Sequence, residues 1–276
     1  MTHLGMGYLT LGDLDPFAMV EAAGAGGFAE AGVRLTGHRP GDPWPFDPAD
    51  PAHVARMAET ARAAGVKLSN ACTYRFTPET DPADYAPVLA TCAALGIGTM
   101  IANAACPDSG RVAHDLGAVA DLAAAHGIRI ALEFIPVSTI PDLAAALAVI
   151  AAAGRPNIGL AIDALHLWRS GGHPRDLAAI PPELLLVVQL CDGPLAGPAT
   201  AEARYQEMRA GRLMPGEGEF DLARLMRAMP PGAEVEAEVP NAGFAHLPAA
   251  ERAARARLGT QAFLDGLARQ AAGQGA

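Results

Sequence analysis

Oxygen-bearing side chains stand near the ends of four successive apolar segments in the second half of the chain. In chain order they are Glu133, Asp163, Gln189 and Glu238. A lone buried carboxylate is costly, but several together are tolerated when a divalent cation compensates their charge. Because the set offers only oxygen ligands, which hard cations prefer, the sequence predicts one Mn²⁺ or Mg²⁺ ion, with Zn²⁺ or Co²⁺ as alternatives.

A fifth oxygen donor competes for a place in this set. Glu236 lies on the same apolar segment as Glu238, with a single alanine between them. Alternate side chains of a β-strand share one face, so both glutamates are expected to point the same way. The spacing alone therefore leaves open which of the two is the ligand.

A divalent ion beside paired carboxylates suits the removal of a proton α to a carbonyl group. The ion holds the carbonyl oxygen and a neighbouring hydroxyl and stabilises the enediolate as charge develops, while a carboxylate takes the proton. Return of the proton to the other carbon isomerises the substrate, and return on the other face epimerises it. Loss of a β-hydroxyl dehydrates it instead, so the residues predict the first step better than the product.

His166 and Arg212 are the next candidates for contact with a substrate. His166 follows Asp163 at a D-x-x-H spacing. It either hydrogen-bonds a substrate oxygen or relays a proton, as a third catalytic residue beside Glu133 and Glu238, or it only orients Asp163. Arg212 lies in "GRLMPGEGE". A guanidinium binds phosphate or carboxylate as a fork, and the alternative interpretation is a surface salt bridge.

Three further residues complete the set of candidate substrate contacts. Arg34 ends the second predicted strand, in "GVRL", and is expected to be a second contact for an anion. Trp168 either forms a wall of the pocket or packs under the helix to which it belongs. Glu217 is either a substrate contact or a loop-fixing partner for a nearby arginine.

The elements that would position these residues follow one repeated pattern. An Ala/Leu-rich segment at helical period ends at a glycine, and a short apolar run follows. Glycine is preferred just past a helix end, where φ must be positive, and apolar runs of this length suit buried parallel strands. The glycines are Gly27, Gly65, Gly96, Gly127 and Gly154.

Further segments complete a set of about eight strands. "GMGYLTL" stands near the start, apolar runs occupy 183–192 and 233–240, and the last helical segment covers 247–270. Eight βα units in 276 residues predict an α/β fold, a single (β/α)₈ TIM barrel spanning residues 1–276 as one domain. The alternative is an open doubly wound sheet, but no GxGxxG motif opens a first βα turn.

A barrel would bring the candidate residues together. Active sites of (β/α)₈ barrels lie at the C-terminal ends of the strands, where the oxygen donors are expected. Two long segments, 38–51 and 192–219, follow the second and seventh predicted strands. We expect both of them to be loops at the same end of the barrel.

Charge and composition exclude several classes of partner. The formal net charge of −10 argues against nucleic acid and anionic membranes. The longest apolar stretch, 143–154, is too short to span a bilayer, and the N-terminus lacks the pattern of a signal peptide. The four cysteines form no CxxC pair and are expected to be reduced thiols. The sequence thus predicts a cytoplasmic protein with a small-molecule substrate.

Several motifs resemble one known family over nearly the whole chain. They are "LEF" (132–134), "DALHLWRSG" (163–171), "VVQLCD" (187–192), "RLMPGEGEFD" (212–221) and "EVP" (238–240). The chain is similar to the xylose isomerase-like TIM-barrel superfamily, the sugar phosphate isomerase/epimerase group. The D-x-x-H and R-x-x-P-G-x-G motifs, in this order, are fairly specific to it. Members commonly dimerise or tetramerise, so the resemblance leaves a homo-oligomer open.

The resemblance implies roles for the oxygen donors. The family's usual Glu, Asp, His and Glu ligands from strands 5 to 8 map onto Glu133, Asp163, Gln189 and Glu238, which favours Glu238 over Glu236. In similar epimerases the two glutamates lie on opposite sides of the substrate carbon and move its proton. Gln instead of His at position 189 resembles a branch that dehydrates 3-dehydroshikimate, which is also similar over "QLCD" and "RLMPGEGE".

We therefore expect a divalent-metal-dependent isomerase or epimerase acting on a sugar, sugar phosphate or related polyhydroxylated ketone. One alternative is a lyase like 3-dehydroshikimate dehydratase, and another is a barrel that binds metal without catalysis. Endonuclease IV shares the barrel type, but its site is rich in histidines and faces a polyanion. The few histidines at strand ends and the net charge of −10 count against that interpretation.

Overall fold

Eight parallel strands form one closed barrel in the computed structural model, which describes residues 4–273. Neighbours in sequence pair in order, and β8 returns to pair with β1, with Gly5 opposite Glu236. The predicted (β/α)₈ barrel is therefore confirmed, although the ends of the predicted 1–276 domain lie outside the described residues. The strands are β1 (Leu4–Met6), β2 (Glu30–Val33), β3 (Lys67–Phe76), β4 (Thr99–Ala104), β5 (Arg129–Glu133), β6 (Ile158–Asp163), β7 (Leu185–Leu190) and β8 (Glu234–Ala237).

Helices alternate with the strands, as right-handed βαβ connections require. Within the described residues, one α-helix follows each strand except β7, which is followed by two. The helices are α1 (Pro16–Ala25), α2 (Pro51–Ala64), α3 (Ala86–Ala94), α4 (Ser109–Ala124), α5 (Leu143–Ala153), α6 (Ala164–Arg169), α7 (Ala201–Ala210), α8 (Leu222–Ala228) and α9 (Ala249–Gly273). No helix between residues 4 and 273 is both long and apolar enough to cross a membrane.

Local sequence signals explain where the helices begin and end. Asp50 caps α2 by accepting a hydrogen bond from the backbone of Ala52, and Pro51 occupies the first helical position, where no N–H is needed. Gly65 ends the helix with φ of 67°. All five glycines predicted to follow helices adopt positive φ, between 62° and 86°. These predicted helix ends are confirmed.

The barrel wall separates an apolar layer from a polar interior. Leu132, Leu160 and Val188 are fully buried between the strands and the helices, and each such side chain stabilises the fold by roughly 1.5–3 kcal/mol. Inside the barrel, Asn70 Nδ2 donates to Glu236 Oε1 over 2.6 Å. Gly32 makes room for this pair, because a Cβ there would lie only 2.5 Å from Asn70 Oδ1.

The two segments predicted as loops have different outcomes. Residues 38–51 contain turns and bends without regular structure up to the start of α2, as expected. The prediction for 192–219 was wrong in part, since α7 lies inside it, capped by Thr200. The helix has no fully buried residue, so it lacks the strong apolar stripe by which a sequence reveals a helix.

Candidate active site

The four predicted oxygen ligands converge at the C-terminal end of the barrel. Asp163 and Gln189 are register partners on β6 and β7, and Glu133 ends the neighbouring strand β5. Glu238 follows directly after β8. Each of the four residues is at most 5% exposed. The structure therefore brings together in one buried cluster the residues that the sequence placed at four strand ends.

Glu133, Asp163 and His166 form the tightest part of this cluster. Each offers one ligand atom, and these atoms all lie within 4.8 Å of one another. Asp163 caps α6, with its Oδ1 accepting from the His166 backbone over 3.0 Å. His166 Nε2 lies 3.7 Å from Glu133 Oε1. We predicted His166 as a catalytic contact, and this geometry also makes it a candidate metal ligand, for which the D-x-x-H spacing was the available signal.

Arg212 lies within the carboxylate cluster. Its Nη1 is 2.5 Å from Asp163 Oδ2 and 3.3 Å from Glu238 Oε2. Its Nε donates to the carbonyl of Met208 over 3.0 Å, and the side chain is 1% exposed. The alternative of a surface salt bridge is therefore wrong. Arg212 was predicted to contact substrate, and the structure shows it ion-paired with two of the predicted metal ligands.

Burial dominates the electrostatics of the cluster. It raises the pKa of Glu133 well above its usual range, and the charges of Asp163 and Glu238 raise it further. Burial also raises the pKa of Glu238 to about 7, against the lowering effect of Arg212. Burial would raise the pKa of Asp163 too, but the adjacent guanidinium of Arg212 outweighs it and holds that pKa below its usual range. The carboxyl groups of the cluster thus outnumber its one guanidinium, and burial disfavours the charged forms of Glu133 and Glu238.

Burial has the opposite effect on the histidine. It lowers the pKa of His166 to about 4. The imidazole is therefore neutral at neutral pH, the form in which histidine binds metal ions. Because it is neutral, its contact with Glu133 is not an ion pair under those conditions.

Gln189 is held by one end of its amide. Its Nε2 donates to Glu236 Oε2 over 3.1 Å and to Glu238 Oε1 over 3.3 Å. Its Oε1 is buried and has no hydrogen-bond partner among the described residues. An unpaired buried acceptor costs roughly 1–3 kcal/mol, and a cation would satisfy it. Glu236, the competitor for the ligand role, is instead occupied with Asn70 and Gln189.

These observations fit a divalent metal ion. The cluster contains more carboxyl groups than its one guanidinium can pair with, together with a neutral imidazole and an amide oxygen that lacks a hydrogen-bond partner. A divalent ion would satisfy this set of donors. The residues that would hold it are Glu133, Asp163, Glu238, Gln189 and His166.

Asp192 organises the loop that carries Arg212, a role that the sequence analysis did not assign. Its Oδ1 accepts from the backbone of Gly193 over 2.8 Å and of Phe220 over 3.0 Å, and its Oδ2 accepts from Gly216 over 2.9 Å. The only signal for this role was its position between a buried strand and a glycine, which is common to many turns.

Two predicted substrate contacts lie away from the cluster. Trp168 stacks on Phe220, with ring centroids 4.6 Å apart and planes at 10°, which corresponds to the packing alternative. Glu217 is exposed and folds back onto the Met214 backbone over 3.3 Å. It forms no ion pair with an arginine in the described part of the chain, so the expected loop-fixing partnership is absent there.

Arg34, the remaining predicted contact, lies just after β2 and is 7% exposed. Its Nη1 donates to the Tyr8 hydroxyl over 3.0 Å, and its guanidinium lies 4.7 Å from the Trp44 ring centre. It thus lies on the side of the barrel away from β6 and β7.

Comparison with known families agrees with this architecture. Residues 17–261 match the xylose isomerase-like TIM barrel family. The chain belongs to that family. The site described above therefore belongs to a xylose isomerase-like barrel with Gln on its seventh strand.

One curated protein and two solved structures show what this chain is similar to. A 3-dehydroshikimate dehydratase of Pseudomonas aeruginosa strain PAO1 is 34% identical over 113 residues, which are 41% of this chain and only 17% of that protein. The IolI protein with a bound zinc atom superposes with a TM-score of 0.77 at 18% identity, over 96% of this chain and 99% of that one. A D-allulose 3-epimerase from Methylomonas sp. gives 0.67 at 15% identity, over 96% and 98%. The two solved structures establish likeness of fold.

Proposed function

We propose that this protein is a divalent-metal-dependent enzyme that removes a proton α to the carbonyl of a small polyhydroxylated ketone. The observation that carries the proposal is the buried cluster of Glu133, Asp163 and His166, whose ligand atoms lie within 4.8 Å of one another beside Glu238. Isomerases and epimerases of sugars use this step, and the solved relatives include a D-allulose 3-epimerase.

Glu133 and Glu238 are the groups proposed to move the proton. They lie on β5 and just after β8, on two different sides of the barrel interior, so the two carboxylates can serve opposite faces of a substrate held between them. A divalent ion, when bound, would polarise the substrate carbonyl and favour the negative charge that develops on its oxygen. Because most of the donors are oxygens, we propose Mn²⁺ or Mg²⁺ as the metal ion. The imidazole of His166 would also suit Zn²⁺ or Co²⁺.

The remaining groups position these carboxylates. Arg212 holds Asp163 and Glu238 at fixed places through its Nη1. Leu9 donates its backbone N–H to Glu238 Oε1 over 3.3 Å. A Cβ at Gly7 would lie 2.7 Å from the Cβ of Glu238, so glycine there lets the chain pass close to the carboxylate. Burial of the whole cluster excludes bulk water from the reacting carbon.

Dehydration is a second candidate with its own support. The curated relative that matches part of the chain is a 3-dehydroshikimate dehydratase, and Gln189 on β7 agrees with the resemblance to that branch. Dehydration begins with the same proton removal and then expels a hydroxyl group from the neighbouring carbon. The two candidates therefore share Glu133 and Glu238 and differ in the fate of the intermediate.

Proton exchange with solvent tests both candidates together. The purified protein with Mn²⁺ is incubated in D₂O with D-fructose, D-allulose, an inosose and 3-dehydroshikimate, and the substrates are analysed by NMR. Deuterium at a carbon next to the carbonyl supports the proposal, with a rearranged ketose indicating an isomerase or epimerase. Ultraviolet absorbance of an aromatic acid formed from 3-dehydroshikimate selects the dehydratase. Absence of exchange and product with all substrates would favour a barrel that binds metal without catalysis.

A further inference from the structure

A group of cationic side chains faces the carboxylate cluster from the other side of the barrel. Arg34 follows β2, and Arg75 is the last residue but one of β3. In the closed strand order, β2 and β3 stand opposite β6 and β7, which carry Asp163 and Gln189. The two arginines and the predicted metal ligands thus lie at the same end of one barrel, on opposite sides.

Arg34 is a buried charge without a carboxylate partner in the described residues. It is 7% exposed, and it forms no salt bridge within 4.0 Å between residues 4 and 273. Its Nε donates to the Thr36 carbonyl and its Nη1 to the Tyr8 hydroxyl, both over 3.0 Å. Its Nη2 donates to no group in that range. Because a guanidinium keeps its proton in proteins, the charge remains and an anion would compensate it.

Aromatic rings hold this guanidinium in place before any ligand arrives. Its central carbon lies 4.7 Å from the Trp44 ring centre and 5.5 Å from that of Tyr8. Trp44 is itself fixed, since its Nε1 donates to the Arg34 carbonyl over 3.0 Å. An arginine fixed in this way loses little side-chain entropy on binding an oxyanion.

Arg75 adds a second unpaired guanidinium. It is half-buried, and its Nε donates to Asn103 Oδ1 over 3.1 Å. Neither of its terminal nitrogens donates a hydrogen bond in the described structure, and no carboxylate lies within 4.0 Å of it there. Burial and then the nearby charges of Arg34 and Arg209 lower the pKa of Arg75, while the charge of Glu133 raises it.

The neighbouring histidine does not relieve this positive charge. The carbonyl oxygen of His38 accepts a hydrogen bond from the Arg75 backbone N–H over 2.7 Å. Burial, followed by the charges of Arg34 and Arg75, lowers the pKa of His38 to about 4. The imidazole is therefore neutral at neutral pH. Within the described residues, three terminal nitrogens, Nη2 of Arg34 and both of Arg75, thus lack a hydrogen-bond partner, and no carboxylate lies within 4.0 Å of either guanidinium.

We infer that Arg34 and Arg75 form a subsite for an oxyanion carried by the substrate, a carboxylate or a phosphate, across the barrel from the metal ligands. This inference rests on the proposed function, because it assumes that the reacting carbonyl lies at the carboxylate cluster. Nη2 of Arg34 and the two terminal nitrogens of Arg75 can donate charged hydrogen bonds to such an oxyanion. The substrate class is accordingly an acidic polyhydroxylated ketone, and neutral ketoses are the poorer ligands.

Matched pairs of ligands test the subsite by binding alone. One pair is 3,4-dihydroxybenzoate and catechol, which differ by a carboxylate, and the other is D-fructose 6-phosphate and D-fructose, which differ by a phosphate. Affinities are measured by calorimetry on the full chain with Mn²⁺. We expect the anionic member of at least one pair to bind about tenfold to a hundredfold more tightly, since charged hydrogen bonds are lost with the anion. The pair that shows the preference identifies carboxylate or phosphate.

Substitution of the two arginines shows whether they cause the preference for the anionic ligand. Arg75→Gln is expected to remove most of it while changing the affinity for the neutral ligand less than about twofold. Arg34→Gln is expected to do the same, and Arg75→Gln keeps the test valid if the buried Arg34 variant does not fold. The control is Arg62→Gln, an exposed arginine on α2 paired with Glu59, which should keep the full preference.

The results separate this inference from the proposed function. Equal affinities within both pairs, or a preference that survives in both arginine variants, would overturn the subsite, even if the protein exchanges the protons of neutral ketoses. Anion preference that disappears in Arg75→Gln supports the subsite, even if no substrate exchanges a proton. In that second case the proposed function is wrong, but the oxyanion subsite is supported.

Discussion

Arg212 Nη1 lies 2.5 Å from Asp163 Oδ2, and both side chains are at most 1% exposed. The same nitrogen is 3.3 Å from Glu238 Oε2. A single guanidinium therefore joins two carboxylates that come from β6 and from the end of β8. This contact links the arginine of the "RLMPGEGE" motif with two of the predicted metal ligands, and it makes the stability of the barrel depend on the charges of the site.

Removal of this guanidinium should destabilise the metal-free protein. Arg212→Met leaves Asp163 and Glu238 buried without their cation, and breaking a buried pair of this kind costs about 3–5 kcal/mol. Urea denaturation in the presence of a chelator measures the loss. Mn²⁺ should then stabilise Arg212→Met more than the wild type, because the ion would compensate the freed carboxylates. The exposed Arg62→Met serves as control and should keep the wild-type midpoint, and an unchanged midpoint for Arg212→Met would contradict this account.

Glu236 is expected to position Gln189 for the metal. Both of its oxygens accept from amide groups, one from Asn70 and one from Gln189. Glu236→Gln replaces one oxygen with an NH₂ group, which opposes an existing donor and favours rotation of the Gln189 amide. Loss of an outer partner typically lowers metal affinity by about 10- to 100-fold. Titration with Mn²⁺ followed by electron paramagnetic resonance measures this, with the exposed Glu251→Gln as control, and equal affinity in both variants would remove this role.

Asp192 should control the order of the loop that holds Arg212. The two carboxylate oxygens of Asp192 accept hydrogen bonds from three backbone N–H groups. Asp192→Asn replaces one of these oxygens with an NH₂ group, which donates instead of accepting. We expect a loss of about 1–3 kcal/mol in the free energy of unfolding, because a buried polar group is left unsatisfied. Limited proteolysis should also cleave faster within residues 193–219. Asp265→Asn, an exposed change on α9, is the matched control, and identical cleavage patterns would show that the loop is held by other contacts.

His38 should weaken the fold as the pH falls. Its pKa in the folded protein is about 4, mainly because of burial, compared with an ordinary value of 6.5. Between these values the unfolded chain binds a proton that the folded chain does not, so stability decreases as the pH falls from 6.5 towards 4. Since the side chain is only partly buried, the effect is a fraction of that of a fully buried group. The difference in urea midpoint between pH 7 and pH 5 should be smaller in His38→Asn than in wild type, and an equal difference would argue against this assignment.

The barrel and the convergence of its predicted ligands could be predicted from the sequence because both follow from local patterns. Gly65 and its counterparts mark helix ends by their positive φ, and the apolar runs after them form the strands. Once the sheet is closed and parallel, side chains at the strand ends must converge. The closeness of Glu133, Asp163, Gln189 and Glu238 therefore follows from strand order and from the position of each residue at the end of its strand.

The directions of side chains outside the strands were not predictable in the same way. Arg212 points into the carboxylates because backbone bonds to Asp192 shape its loop, and those bonds join residues far apart in the chain. Arg75 was not among the predicted site residues, since a single arginine near the end of the apolar run "LSNACTYRF" resembles many surface residues. Its relationship to Arg34 depends on the pairing of the strands.

Metal analysis combined with crystallography tests the central claim most directly. Protein crystallised with Mn²⁺ should contain one ion per chain, with an anomalous difference peak bounded by the side chains of Glu133, Asp163 and Glu238. In Asp163→Asn the peak and the stoichiometric binding should both be lost, while the barrel remains folded by circular dichroism. A wild-type protein without stoichiometric metal, or a peak away from these three carboxylates, would contradict the account.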